Sequence, residues 1–132
     1  MEQQYIGQMF LVGLGGGLGS ITRFIVDGLT YRLLPFAGLP YGTLAVNVIG
    51  CFLIGFLNGL VEIHQVFSPN TRLFLFIGFL GGFTTFSTFG YETVSLAREV
   101  EAFQALIYIG LHLFVGLTAV WLGQQLASLH WQ

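Results

Sequence analysis

The chain is poor in charge, proline and cysteine, and each shortage excludes something. Of 132 residues, four are basic and six acidic, while 55% are apolar. A water-soluble domain devotes about a quarter of its residues to Asp, Glu, Lys and Arg. This composition therefore places the chain in the membrane class. A formal net charge of −2 leaves no basic face, which excludes nucleic acid as a partner. All four basic residues are arginines, Arg23, Arg32, Arg72 and Arg98, and they fall between or at the ends of apolar spans. Cys51 is alone, so an intramolecular disulfide and a cysteine-based metal motif are both excluded, and it reads as a small buried hydrophobe. The opening Met1-Glu2-Gln3-Gln4 has no basic leader region and three further apolar spans follow. The first span is therefore expected to be retained. One domain over residues 1–132 is expected.

Catalytic constellations are also missing. No His/Glu pair has zinc spacing, no Ser/His/Asp set is evident, and no phosphate loop occurs, so the chain is not read as an enzyme. A small proton-coupled exporter would need a carboxylate at membrane depth. The first, second and fourth spans have none internally, and Glu62 and Glu92 sit at span ends. The sequence alone favours a solvated or helix-capping role for Glu92.

What is present is four apolar spans, each of about the 20 residues that a hydrocarbon core requires. They are expected at Tyr5–Val26, Tyr41–Val61, Leu73–Tyr91 and Ala102–Leu129. The first carries two overlapping small-xxx-small pairs, Gly13 with Gly17 and Gly15 with Gly19, which allow close helix approach in lipid. Gly50, Gly55 and Gly59 point the same way in the second. Leu33, Leu34 and Phe36 suggest an interfacial segment between the two, and Glu92, Arg98, Glu99 and Glu101 a polar, partly helical connection before the fourth. Trp121 and Trp131 suit a membrane interface. With both termini on one side, Arg72 stands against Arg32 and Arg98 on the other, a weak orientation bias that permits insertion both ways.

Polar residues inside the spans carry the chemistry. Asn47 is near the middle of the second span, with Thr43 one turn before it; it reads either as an interhelical tie or as a donor lining a polar path. His112, one turn after Tyr108 in the fourth span, reads either as a neutral interhelical partner or as a functional ionisable group. The densest feature is Gly81-Gly82-Phe83-Thr84-Thr85-Phe86-Ser87-Thr88-Phe89. Glycines followed by β-branched threonines make poor helix, and irregular backbone at membrane depth is tolerated only inside protein or beside water. Freed carbonyls there suit a hard cation such as Na⁺ better than zinc, unless neighbouring hydroxyls satisfy them. Hydroxyl and amide donors, with phenyl edges of positive quadrupole, suit a small anion held weakly enough to leave. Four helices enclose little alone, so a homodimer is the simplest way to build a pore.

Three stretches are similar to the Fluc/CrcB fluoride channel family: Gly16-Gly17-Leu18-Gly19-Ser20-Ile21-Thr22-Arg23-Phe24, Gly42-Thr43-Leu44-Ala45-Val46-Asn47-Val48-Ile49-Gly50, and Gly78-Phe79-Leu80-Gly81-Gly82-Phe83-Thr84-Thr85-Phe86-Ser87-Thr88-Phe89. The resemblance implies an all-α integral membrane protein of four transmembrane helices, the third broken, forming an antiparallel dual-topology homodimer with two fluoride pores. It implies passive export of cytoplasmic fluoride, and so relief of its toxicity, across the cell membrane (the inner membrane in a Gram-negative host). Phe86 and Phe89 would be the pore phenylalanines, Asn47 the pore amide, and Ser87 and Thr88 part of a polar track. Gly81 and Thr84 would offer carbonyls to a central structural Na⁺, Arg23 would attract anions at a vestibule, and Tyr108 would face the pore. His112 stands where a serine or threonine is expected; if it faces the pore, conduction should respond to pH near neutrality. The alternative reading is a non-conducting structural or assembly subunit of a membrane complex.

Overall fold

A computed structural model describes residues 2–35, 38–64, 66–99 and 102–129. Phe36, Glu101 and Trp131, singled out above, lie outside the described residues. Every element described is helical: α1 (Glu2–Leu33), α2 (Tyr41–His64), α3 (Pro69–Arg72), a π-helical segment π1 (Leu73–Leu80), α4 (Gly81–Phe83), α5 (Phe86–Glu99) and α6 (Ala102–Leu129). Among the described residues, four stretches are long and apolar enough to cross a bilayer: Glu2–Leu33, Tyr41–Ile63, Pro69–Glu99 and Ala102–Leu129.

Three of the expected spans prove longer than their apolar runs. The first helix continues through Asp27 and Arg32 to Leu33, so Leu33 belongs to the helix and not to an interfacial connection. At about 1.5 Å per residue, α1 is about 48 Å long, more than the ~30 Å hydrocarbon core. Its charged last turns can therefore reach the headgroup region. The third span begins four residues before Leu73 because Ser68 caps it: its hydroxyl accepts the Thr71 N–H at 3.2 Å, and Pro69 follows at the first helical position. Its described part runs through Glu99, so Glu92, Arg98 and Glu99 are helical.

The four spans pack chiefly as two pairs, α2 with α6 and α1 with π1 and α4. Both pairs rest on glycine. A Cβ on Gly15 would lie 2.5 Å from the Phe74 carbonyl oxygen, and one on Gly19 would overlap that of Phe79. Gly82 meets the Gly16 backbone in the same way. Across the other pair, Gly55 faces the Val120 carbonyl and Gly123 the Phe52 carbonyl. Lipid tails are as apolar as leucine, so helices gain here by close van der Waals approach. Of the two glycine pairs expected on α1, only Gly15 and Gly19 are used this way; Gly13 and Gly17 face open space.

The outer surfaces of α1 and α6 are apolar, with Phe10, Leu18, Phe24, Phe103, Phe114 and Leu117 exposed. Two threonines on these helices are satisfied within their own turn: Thr22 donates to the Leu18 carbonyl and Thr118 to that of Phe114, each four residues back. That local bond makes a threonine tolerable in lipid.

The α1 contact can be tested by paired substitutions. Gly19→Ala should destabilise detergent-solubilised protein by about 1–3 kcal/mol, the usual cost of overpacking. Gly17→Ala should leave the thermal unfolding midpoint nearly unchanged. Equal midpoints for the two variants would mean that α1 does not approach the third span as described.

Candidate functional site

The site forms where the third span departs from regular helix. Thr84, with φ −84° and ψ 161°, is extended, and Thr84 and Thr85 are the non-helical residues between α4 and α5. Gly81, Gly82 and Phe83 are themselves helical. The irregular backbone thus falls on the threonines and not on the glycines expected to start it. Gly82 is explained by its approach to α1, whereas a Cβ on Gly81 would meet nothing nearer than the Phe76 carbonyl oxygen at 3.9 Å.

Asn47 makes this departure affordable. Its Oδ1 accepts the Thr85 N–H at 2.8 Å and its Nδ2 donates to the Thr85 carbonyl at 3.0 Å. One side-chain amide therefore supplies the acceptor that the Thr85 N–H loses in leaving the helix and adds a donor to the Thr85 carbonyl. Thr85 also caps α5: its hydroxyl oxygen accepts the Thr88 N–H at 3.2 Å and its own proton goes to Thr88 Oγ1 at 2.9 Å. Ser87 Oγ lies 3.3 Å from the same oxygen. These exchanges have a cost elsewhere. In a continuous helix the Thr85 N–H would serve the Gly81 carbonyl and the Thr88 N–H the Thr84 carbonyl. Both carbonyls lose those donors.

Phe86 opens α5 and is 82% exposed. Its ring centroid is 5.6 Å from that of Phe89. Phe89 turns inward against Tyr108, at 5.6 Å, and His112, at 4.3 Å. The His112 ring stands edge-on to Tyr108 at 4.5 Å. Tyr108 is fully buried. Its hydroxyl donates to Glu92 Oε2 at 2.7 Å, and Thr43 donates to the other carboxylate oxygen at 2.9 Å. Glu92 is half-buried and ties α2, α5 and α6 together, which corrects the solvated or capping role favoured by sequence. The signal was available: Thr43, Glu92 and Tyr108 are polar residues near one end of three different spans, and a polar group there must find a partner.

A cavity of about 480 Å³ lies beside this assembly. Asn47, Gly81, Thr84, Phe86, Phe89 and His112 are in its wall, with Cys51 among apolar neighbours. The structure thus brings together most of the residues singled out from sequence. Ser87 and Thr88 are exposed on the next turn of α5 and do not line the cavity. Tyr108 lies behind Phe89 and His112. Arg23 stands apart on α1, half-buried, one turn before Asp27. Thr118 is spent on its own helix.

The chemistry offered is neutral. Asn47 keeps one amide proton beyond the bond to Thr85, hydroxyls and phenyl edges adjoin it, and no fixed cationic side chain lines the wall. Such a wall can strip part of a small anion's hydration without trapping it.

Known proteins bear on this arrangement. Residues 10–124 match the family described as CrcB-like protein, Camphor Resistance (CrcB). A protein of Chlorobium phaeobacteroides named fluoride-specific ion channel FluC is 44% identical over 131 residues, covering 98% of each chain. One of the same name from Methylobacillus flagellatus is 45% identical over 95% of this chain and 98% of its own. Another, from Acidobacterium capsulatum, is 46% identical over 85% of this chain and 89% of its own. With the profile spanning nearly all of the four helices and relatives this similar end to end, the chain belongs to the CrcB-like family.

Proposed function

We propose that this protein is a fluoride-selective, passive ion channel of the cell membrane, which lets cytoplasmic fluoride leave down its gradient. The observation that carries this reading is the neutral donor wall at the interrupted third span: Asn47 pinned to Thr85, with Phe86 and Phe89 beside it. The names of the similar proteins supply the ion. Passive movement fits the absence of a nucleotide-binding motif in the sequence.

In this reading the third span is a broken helix whose two halves do different work. Phe86 and Phe89 present ring edges to the anion, Asn47 donates its remaining amide proton, and Ser87 and Thr88 extend the donor track along α5. Tyr108 orders the wall from behind, its hydroxyl fixed by Glu92. Arg23 attracts anions at the mouth. Two antiparallel copies would form two pores. An 82% exposed Phe86 flanked by exposed Ser87 and Thr88 is a surface lipid does not satisfy, and a second copy would cover it.

The Gly81 and Thr84 carbonyls fit a structural Na⁺. Both have lost their helical donors, both residues line the cavity, and the ligand set is oxygen alone without formal charge. The cation would supply these backbone oxygens with a partner and hold two copies together.

Purified protein in liposomes should release fluoride when a K⁺ ionophore is added, and should retain chloride. Absence of fluoride release would end the channel reading. Phe86→Ile and Phe89→Ile should each slow flux by about tenfold, equivalent to about 1.4 kcal/mol at the barrier, while leaving the dimer intact on size-exclusion chromatography. Full activity in both would reduce the rings to packing. Exchanging Na⁺ for N-methylglucamine should lower flux or dissociate the dimer; indifference would count against a cation at Gly81 and Thr84.

A further inference from the structure

Asn47 is not the only residue of α2 that receives the interrupted segment. Gly50, three residues on and so about one turn away on an adjoining face, is buried. A Cβ built there would overlap the Thr84 Cγ2 methyl group. The next neighbours, Thr84 Cβ and Phe83 Cδ1, would stand at 3.6 Å, an ordinary van der Waals distance. The gap at Gly50 is thus filled by a single methyl group, that of the extended residue. Gly55 and Gly59, further along α2, serve the contact with α6 instead. Gly50 and Thr84 both line the cavity.

The Thr84 side chain is held by both of its arms. Its hydroxyl donates to the Leu80 carbonyl at 2.9 Å, which leaves the methyl group directed at α2. A β-branched side chain is stiff about its first torsion, so seating the methyl group also seats the Thr84 Cα. The peptide that follows is held from its other end, where the Thr85 N–H donates to Asn47 Oδ1 at 2.8 Å. In a planar trans peptide the N–H and C=O point in opposite directions. The Thr84 carbonyl is therefore turned away from Asn47, and the Thr88 N–H that a continuous helix would bring to it goes to the Thr85 hydroxyl.

We propose that Gly50 is a positioning residue for the cation site: the gap it leaves on α2 seats the Thr84 methyl group and, with Asn47, fixes the direction of the Thr84 carbonyl. Asn47 holds one end of the Thr84–Thr85 peptide and Gly50 the other. Any larger side chain at position 50 would press Thr84 away from α2 and turn that oxygen. Gly50 would touch no ion itself; it acts through Thr84. The inference rests on the channel and cation site proposed above, and names what orients one of the cation's ligands.

A double-substitution cycle tests it. The thermal unfolding midpoint of purified protein is followed as Na⁺ replaces N-methylglucamine at constant ionic strength. Gly50→Ala should raise the half-saturating Na⁺ concentration about tenfold, within the usual coupling of residues in contact. Thr84→Ser keeps the hydroxyl for Leu80 and removes only the methyl group, so adding Gly50→Ala to it should shift half-saturation by less than about twofold. Fluoride flux in liposomes should follow the same pattern, with about tenfold lost to Gly50→Ala alone and about twofold or less when it is added to Thr84→Ser. A wild-type response in Gly50→Ala would overturn the proposal. So would an equal loss in both backgrounds, which would make Gly50 a packing residue of α2 alone. If Gly50→Ala yields no folded dimer, recovery of the dimer on adding Thr84→Ser supports the proposal, and failure to recover overturns it. Wild-type protein that responds to Na⁺ but releases no fluoride would defeat the channel reading, with the Na⁺ cycle still deciding the role of Gly50. Wild-type protein that conducts without regard to Na⁺ would defeat the cation site and this proposal with it, leaving the channel reading intact.

Discussion

The Asn47 amide clasping both backbone groups of Thr85 is the interaction on which the rest depends. Hydrocarbon offers no water to a free N–H or C=O, so a helix can be interrupted there only if something else makes its bonds. A side-chain amide is the one uncharged group that both donates and accepts at the spacing of a peptide unit. With Asn47 in place, Thr84 adopts an extended conformation, α5 starts afresh under its Thr85 cap, and Phe86 is directed outward. Without it, the third span's least costly course would be uninterrupted helix, with the Gly81 and Thr84 carbonyls again engaged.

Around that clasp, two layers hold the geometry. Glycine contacts fix α1 against the first half of the third span and α2 against α6. Glu92 then bridges Thr43, on α2, and Tyr108, on α6, from the second half. Phe89 is consequently wedged between a rigid tyrosine and His112, whereas Phe86 is held only by its own helix and by Phe89. The family assignment and the neutral wall together make selective passage of a small anion the economical explanation of this design.

Much of this was legible in the sequence. Hydropathy located four spans because few charges interrupt them, and the whole of the fourth, Ala102–Leu129, is helical. The ends of the first and third were read short because a helix in an interface keeps its hydrogen bonds past its last apolar residue; Asp27, Arg32 and Glu92 remain helical. The threonine-rich stretch announced an irregularity, yet propensity placed its start at Gly81-Gly82. Tertiary packing prevailed there: Gly82 is needed for contact with Gly16 and stays helical, and the Asn47 partnership draws the interruption to Thr85. Asn47 stood open between a tie and a donor, and its two bonds to Thr85 leave one proton over for the second task. The Glu92 bridge was hidden because it joins residues far apart in sequence, through pairings that hydropathy does not encode.

The π-helical run Leu73–Leu80 adds a last point. Wider turns place more residues in each revolution than an α-helix does, so every side chain beyond them is rotated about the axis relative to an α-helical course. The face of the third span that meets α1 through Phe74, Gly78 and Phe79 and the face that presents Thr84, Thr85 and Phe86 to the cavity are therefore set in phase by this segment. It acts as a vernier between anchor and wall. In this protein the bearing of the phenylalanines is fixed by the hydrogen-bond count of eight greasy residues upstream, none of which is polar.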